Sequence, residues 1–115
     1  MTNAFDSVDE WLTVPEVAER LDVPLGKVRR FIEEHVLFSV RFDGVQKIPA
    51  HLVATGEPLP SLRGTILVLI DAGFDAESAA AWLYRVEDSI GRAPIELLLE
   101  GRKSEVRRVA QSLAF

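Results

Sequence analysis

The chain has 115 residues, no cysteine and a formal net charge of −5. That length suits one domain or two very small units sharing a core, and a hydrophobic fraction of 48% excludes wholesale disorder. The lack of cysteine excludes a disulfide framework, a thiolate metal site and a cysteine nucleophile.

Residues 1–10 carry Asp6, Asp9 and Glu10 and no base, and are expected to form a flexible acidic arm. They lack the basic and apolar regions of a signal peptide. The longest apolar run, Ile66–Ile70, stops at Asp71, far short of the ~20 residues that span a bilayer. A soluble cytoplasmic protein without membrane contact is therefore expected. Thr2 and Ser7 lie in this arm as candidate phosphorylation sites, where added negative charge would oppose an anionic ligand.

Thr13 and Glu16 have the spacing of a capping box, which opens a helix of about eight residues. Pro15 is tolerated in its first turn. Val14, Val17, Ala18 and Leu21 make one apolar stripe. Asp22-Val23-Pro24 breaks the chain, and Pro24 can begin but not continue a helix. A second helix is expected over Leu25–Glu34. Its apolar stripe is Leu25, Val28, Phe31 and Ile32, and its other face shows Gly26, Arg29, Arg30 and Glu33, with Lys27 to one side.

Phe38–Phe42 and Val45–Ile48 both alternate with period two. Asp43-Gly44 between them marks a tight hairpin, because both turn positions favour positive φ. Pro49 ends the second strand and a short helix, Ala50–Ala54, follows. Residues 56–60 read as a linker from their Gly and Pro content.

The rest, 61–115, patterns as helix. Leu62–Ala72 is expected with Ser61 as N-cap and Gly73 as C-cap, and Ala76 to about Val86 with Asp75 as N-cap. Residues 88–93 form a loop, Pro94–Glu100 a short helix, and a last helix capped by Ser104 runs to about Ala114. The fold class is thus mainly α with a small β-hairpin.

Helix, tight break, helix and hairpin across 11–55 outline a winged helix-turn-helix. In that geometry the second helix lies in the DNA major groove with its first residues at base edges. Gly26 would let the backbone approach closely. Arg29 and Arg30 would reach base edges or phosphates, since arginine reads guanine with two hydrogen bonds, and Lys27 would hold a phosphate. Arg41 and Lys47 on the hairpin would meet the flanking backbone or minor groove. Charge distribution permits this: residues 11–55 hold six bases and six acids, and the acid excess lies elsewhere. The competing reading is an ordinary α+β core whose charged face is merely solvated.

The run Leu12-Thr13-Val14-Pro15-Glu16-Val17-Ala18-Glu19-Arg20-Leu21-Asp22-Val23 resembles the opening of excisionase-like and MerR-like winged helix-turn-helix proteins. Val28-Arg29-Arg30-Phe31-Ile32 resembles their recognition helix, and Gln46-Lys47-Ile48-Pro49 their wing exit. Pro24 stands where many relatives carry a capping serine. Along nearly its whole length the chain resembles a small actinobacterial family of DNA-binding proteins with this architecture. In the second half, Ala81-Trp82-Leu83, Gly91-Arg92-Ala93-Pro94-Ile95-Glu96-Leu97-Leu98 and Gly101-Arg102 resemble the C-terminal domain of Xre-type antitoxins, which implies dimerisation or a grip on a protein partner. The same spacing also suits a loop, a helix start and an apolar face.

These resemblances point to a regulator of transcription that binds double-stranded DNA. The alternative is an antitoxin-like interaction module acting through the C-terminal helices. A homodimer or a protein partner through residues 62–115 fits the apolar Ile66–Ile70 run and the stripe Val109, Leu113 and Phe115, and two half-sites would multiply a modest affinity.

His35 and His51 lack the additional ligands of a metal site, and His35 suits a helix C-cap or a phosphate neighbour. No nucleophile elbow, phosphate loop or dinucleotide fingerprint occurs. No catalytic residue, metal or cofactor is expected. Trp11, Trp82, Phe31, Phe38, Phe42 and Phe74 are most simply core, with an exposed place at the hairpin as the alternative for Phe42, where one aromatic makes no base-stacking platform.

Overall fold

The structure, a computed structural model, describes residues 4–113. Six α-helices and a three-stranded antiparallel sheet are present among them, so the fold is mainly α with a small sheet. The chain divides into two compact units, Val8–Pro60 and a second that joins residues 4–7 to residues 61–113.

The first unit begins with β1 (Trp11–Thr13), α1 (Val14–Leu21) and α2 (Leu25–Glu33). β2 (Val40–Phe42), β3 (Val45–Pro49) and a 3₁₀ turn (Ala50–Val53) follow. The sheet order is β1-β3-β2. Leu12 pairs with Ile48 and Val40 with Lys47, so the hairpin lies against a strand that sequence periodicity missed. Three residues are too few to reveal alternation. Leu12 and Ile48 turn inward together and are buried with Val14, Val17, Ala18, Val28, Leu37, Leu52 and Val53.

Local chemistry sets the helix ends. The Glu16 amide donates to Thr13 Oγ1 at 3.3 Å, and the Thr13 amide donates to Glu16 Oε1 at 2.9 Å. Asp22 ends α1 at φ 57°, with the Val23 amide reaching back to the Ala18 carbonyl at 3.0 Å. α2 starts at Pro24 without a side-chain cap. His35, at φ 65°, turns the chain out of α2, and the Val36 amide donates to the Phe31 carbonyl at 2.8 Å.

Several expectations need correction. Leu25 leaves the apolar stripe of α2: it is 42% exposed while Val28 is fully buried. It precedes the point where the helix turns onto the core. The first strand of the hairpin shortens to Val40–Phe42, the span that pairs with Val45–Lys47, and Phe38 is buried ahead of it. Residues 4–10, expected as a free arm, make defined contacts. The Phe5 ring lies 5.3 Å from that of Tyr84, Val8 is buried, and the Glu10 carbonyl accepts the Ala50 amide at 2.9 Å. Thr2, Ala114 and Phe115 lie outside the described residues.

In the second unit α3 (Leu62–Asp71), α4 (Ala76–Tyr84), α5 (Pro94–Leu99) and α6 (Lys103–Ser112) bury Leu62, Ile66, Leu69, Leu83, Leu97, Leu98 and Val106. Asp75 caps α4 as expected, accepting the Ser78 amide at 2.7 Å. Three other ends differ. Ser61 has helical dihedrals and makes no side-chain cap; its carbonyl takes the buried Thr65 hydroxyl at 2.9 Å. α4 stops at Tyr84, so Val86 stands 68% exposed. α6 begins one residue before Ser104, with Arg102 as an N-cap held by Glu105. The loop 88–93 is closed by a bridge between Glu87 and Arg92, and Trp82 Nε1 donates to Glu87 Oε2 at 3.1 Å. No helix among the described residues is long and apolar enough to cross a membrane.

Candidate nucleic-acid interface

A helix buried along one side presents the other to solvent. On α2 that side holds Gly26, Lys27, Arg29 and Arg30, all exposed. The bases occupy the first two turns and the acids Glu33 and Glu34 the last, so positive charge is concentrated toward the helix N-terminus. Neither Arg29 nor Arg30 forms an ion pair among the described residues. Lys27 Nζ lies 5.2 Å above the centre of the Phe31 ring, a cation–π contact that steadies it without neutralising it. A Cβ built on Gly26 would meet nothing within 4 Å, so Gly26 leaves the helix surface open rather than filling a crowded place.

The wing positions its bases differently. Arg41 is exposed, and its Nη1 donates to the Gly44 carbonyl at 3.1 Å. The guanidinium therefore closes the Asp43-Gly44 turn, where both residues have positive φ. Lys47 sits on the central strand, half-buried between Thr13 and Val40. Glu16 is held below the ordinary carboxylate range, first by the Thr13 amide and in smaller part by Arg20 and Lys47. Lys47 thus feels a nearby carboxylate without an ion pair to it among the described residues, whereas Arg41 is engaged by a direct hydrogen bond.

Phe42 and Trp11 share the outer face of the sheet, with ring centres 4.9 Å apart in an edge-to-face arrangement. This pair ties the wing to β1. Sequence reasoning assigned Trp11 to the core and left Phe42 open between core and an exposed hairpin, and it missed their partnership because β1 carries no periodic signal. Exposed Leu25 was missed for the opposite reason: its spacing fits the buried stripe.

Ser7 is exposed on the turn of residues 4–7. His51 is half-buried, and burial pushes its imidazole below its ordinary value while Asp9 opposes this. No group of three or more His, Cys, Asp or Glu side chains that could hold a metal occurs among the described residues.

Residues 1–53 match the family model described as DNA-binding protein Rv2175c, wHTH domain. Residues 59–114 match that of the Rv2175c C-terminal domain of unknown function. The DNA-binding protein Rv2175c of Mycobacterium tuberculosis (strain ATCC 25618 / H37Rv) is 30% identical over 115 residues, covering 89% of this chain and 79% of that protein. The NMR structure of Rv2175c superposes with a TM-score of 0.83 at 28% identity, covering 96% of this chain and 84% of that one. With both family models in order along the sequence and a relative aligned over most of both chains, the chain belongs to the Rv2175c family, a winged helix-turn-helix domain followed by that family's C-terminal domain.

Proposed function

We propose that this protein binds double-stranded DNA and regulates transcription in the cytoplasm. The observation that carries the reading is the exposed, unneutralised base cluster Lys27, Arg29 and Arg30 on the first two turns of α2, in a winged helix-turn-helix whose curated relative is named a DNA-binding protein. α2 enters the major groove. Arg29 and Arg30 meet base edges or phosphates, Lys27 meets a phosphate, and Gly26 permits close approach. Arg41 reaches the flanking backbone from the wing tip, and Lys47 adds a weaker long-range attraction. A homodimer, or a protein partner, formed through residues 62–115 would join two such modules on adjacent half-sites. The match of residues 59–114 to a domain of unknown function lends no support to an antitoxin-like role.

Binding to random-sequence duplex across a salt series tests the reading. Wild type should weaken linearly in log–log terms, with a slope of about −0.9 per phosphate neutralised. Arg29→Ala/Arg30→Ala should lose at least about tenfold in affinity and reduce the slope by about two if both contact phosphates. A wild-type protein that binds no duplex at low salt would refute it.

A further inference from the structure

We propose that Leu25 reads the 5-methyl group of a thymine in the major groove, next to the base that Arg29 contacts; this rests on the DNA-binding reading above. Leu25 opens α2 on the spacing of a buried residue, yet it is 42% exposed. A single exposed apolar side chain is ordinary on a protein surface, so its place has to carry the argument. Among the described residues the large exposed hydrophobics are Leu25, Val45, Val86 and Leu99. Two of these fall in the Val8–Pro60 unit, and both lie on the elements that meet DNA in this geometry: Leu25 at the entry of α2, Val45 at the exit of the wing turn.

The surroundings of Leu25 suit contact with a base edge. Pro24 before it offers no side-chain cap that would occupy the first turn. Gly26 after it has no neighbour within 4 Å of a built Cβ, so the backbone can press into a groove. A helical side chain leans toward the N-terminus of its helix, and here that is the end that enters the groove. Leu25 is four residues from Arg29, so the two lie side by side on one face, about 5–6 Å apart at Cβ. Base pairs rise about 3.4 Å, so the two side chains span neighbouring pairs or pairs one apart. The thymine methyl is the apolar group on the major-groove edge. An apolar side chain beside an arginine therefore suits a thymine close to a guanine.

The test begins with duplexes selected from a random library by the whole chain. Each thymine of the selected site is then replaced singly by deoxyuridine, which removes only the methyl group. One replacement near the selected guanine should weaken wild-type binding about fourfold, the worth of one buried CH₂ group. Leu25→Ala should keep its fold and bind the thymine and deoxyuridine duplexes equally, whereas Arg29→Ala should still distinguish them. The inference is overturned if no replacement affects the wild type, or if Leu25→Ala keeps the discrimination. A chain that selects no duplex at all overturns the DNA reading itself, and the inference with it.

Discussion

Gly64 shows how one residue can mislead when taken alone. Within a helix a glycine costs up to about 1 kcal/mol relative to alanine, so its presence in the first turn of α3 looks like a weakness. A Cβ there would collide with the Arg107 guanidinium. Arg107 Nη2 donates to the Ser61 carbonyl at 3.4 Å, while its buried Nε has no hydrogen-bond partner among the described residues. The group is already poorly satisfied, and displacing it would cost the contact it has. Gly64→Ala should therefore gain less stability to denaturant in the wild-type protein than the roughly 1 kcal/mol that the same change gains in Arg107→Ala. Equal effects in both backgrounds would show that the guanidinium does not require the glycine. The exposed ion pairs Arg92–Glu100 and Arg102–Glu105 add little by comparison with core burial, since exposed pairs contribute about 0–1 kcal/mol.

At the scale of elements, α1 depends on a reciprocal cap and the wing on an aromatic pair. Thr13→Ala removes the hydroxyl that accepts the Glu16 amide and should lower stability by about 1 kcal/mol, read from the denaturation midpoint at constant m-value. Phe42→Ala removes the ring packed on Trp11. It should raise hydrogen exchange across the Val40–Phe42 strand while α1 stays protected. Acid titrates the same unit at two places. Burial lowers the His51 imidazole below 6.5, so the unfolded chain takes that proton first. Stability is full above the unfolded value and is lost as pH falls through the folded one. Glu16, held below 4.5, follows the same sign in more acidic solution. Thermal midpoints measured from about pH 7.5 to about pH 5 should fall in wild type and flatten in His51→Gln. A wild-type midpoint independent of pH in that window would remove the imidazole from the account.

For the molecule as a whole, the contrast is between a net charge of −5 and a basic first half of α2. Exposed charges act over about 10 Å at 0.1 M salt, so Glu10, exposed in the same unit as α2, should slow the approach of DNA without touching it. Neutralising Glu10→Gln should raise the association rate by up to about twofold at low salt, and the gain should vanish at high salt. A gain that persists at high salt would mean a direct contact rather than a field effect. Glu10 suits this test because its contact with Ala50 in the fold is made by its carbonyl, not its carboxylate.

Amino-acid order alone determined the helices, the capping box, the Asp43-Gly44 turn and the basic face of α2. Each depends on residues within a few positions of one another, where propensity, capping and periodicity act. The Gly and Pro run at 56–60 falls where the Val8–Pro60 unit ends, although no local signal joins residues 4–7 to the second unit. Tertiary structure decided what depends on distant partners. β1 exists because Leu12 pairs with Ile48 across 36 residues of chain. Leu25 faces out because α2 meets the core only from Val28 onward, although both have the spacing of one stripe. Lys47 lies beside Thr13 on the central strand and acts on Glu16, so a base that looks free in sequence feels a nearby carboxylate. Burial and charge pairing across long separations are properties of the packed chain, and local pattern carries no record of them.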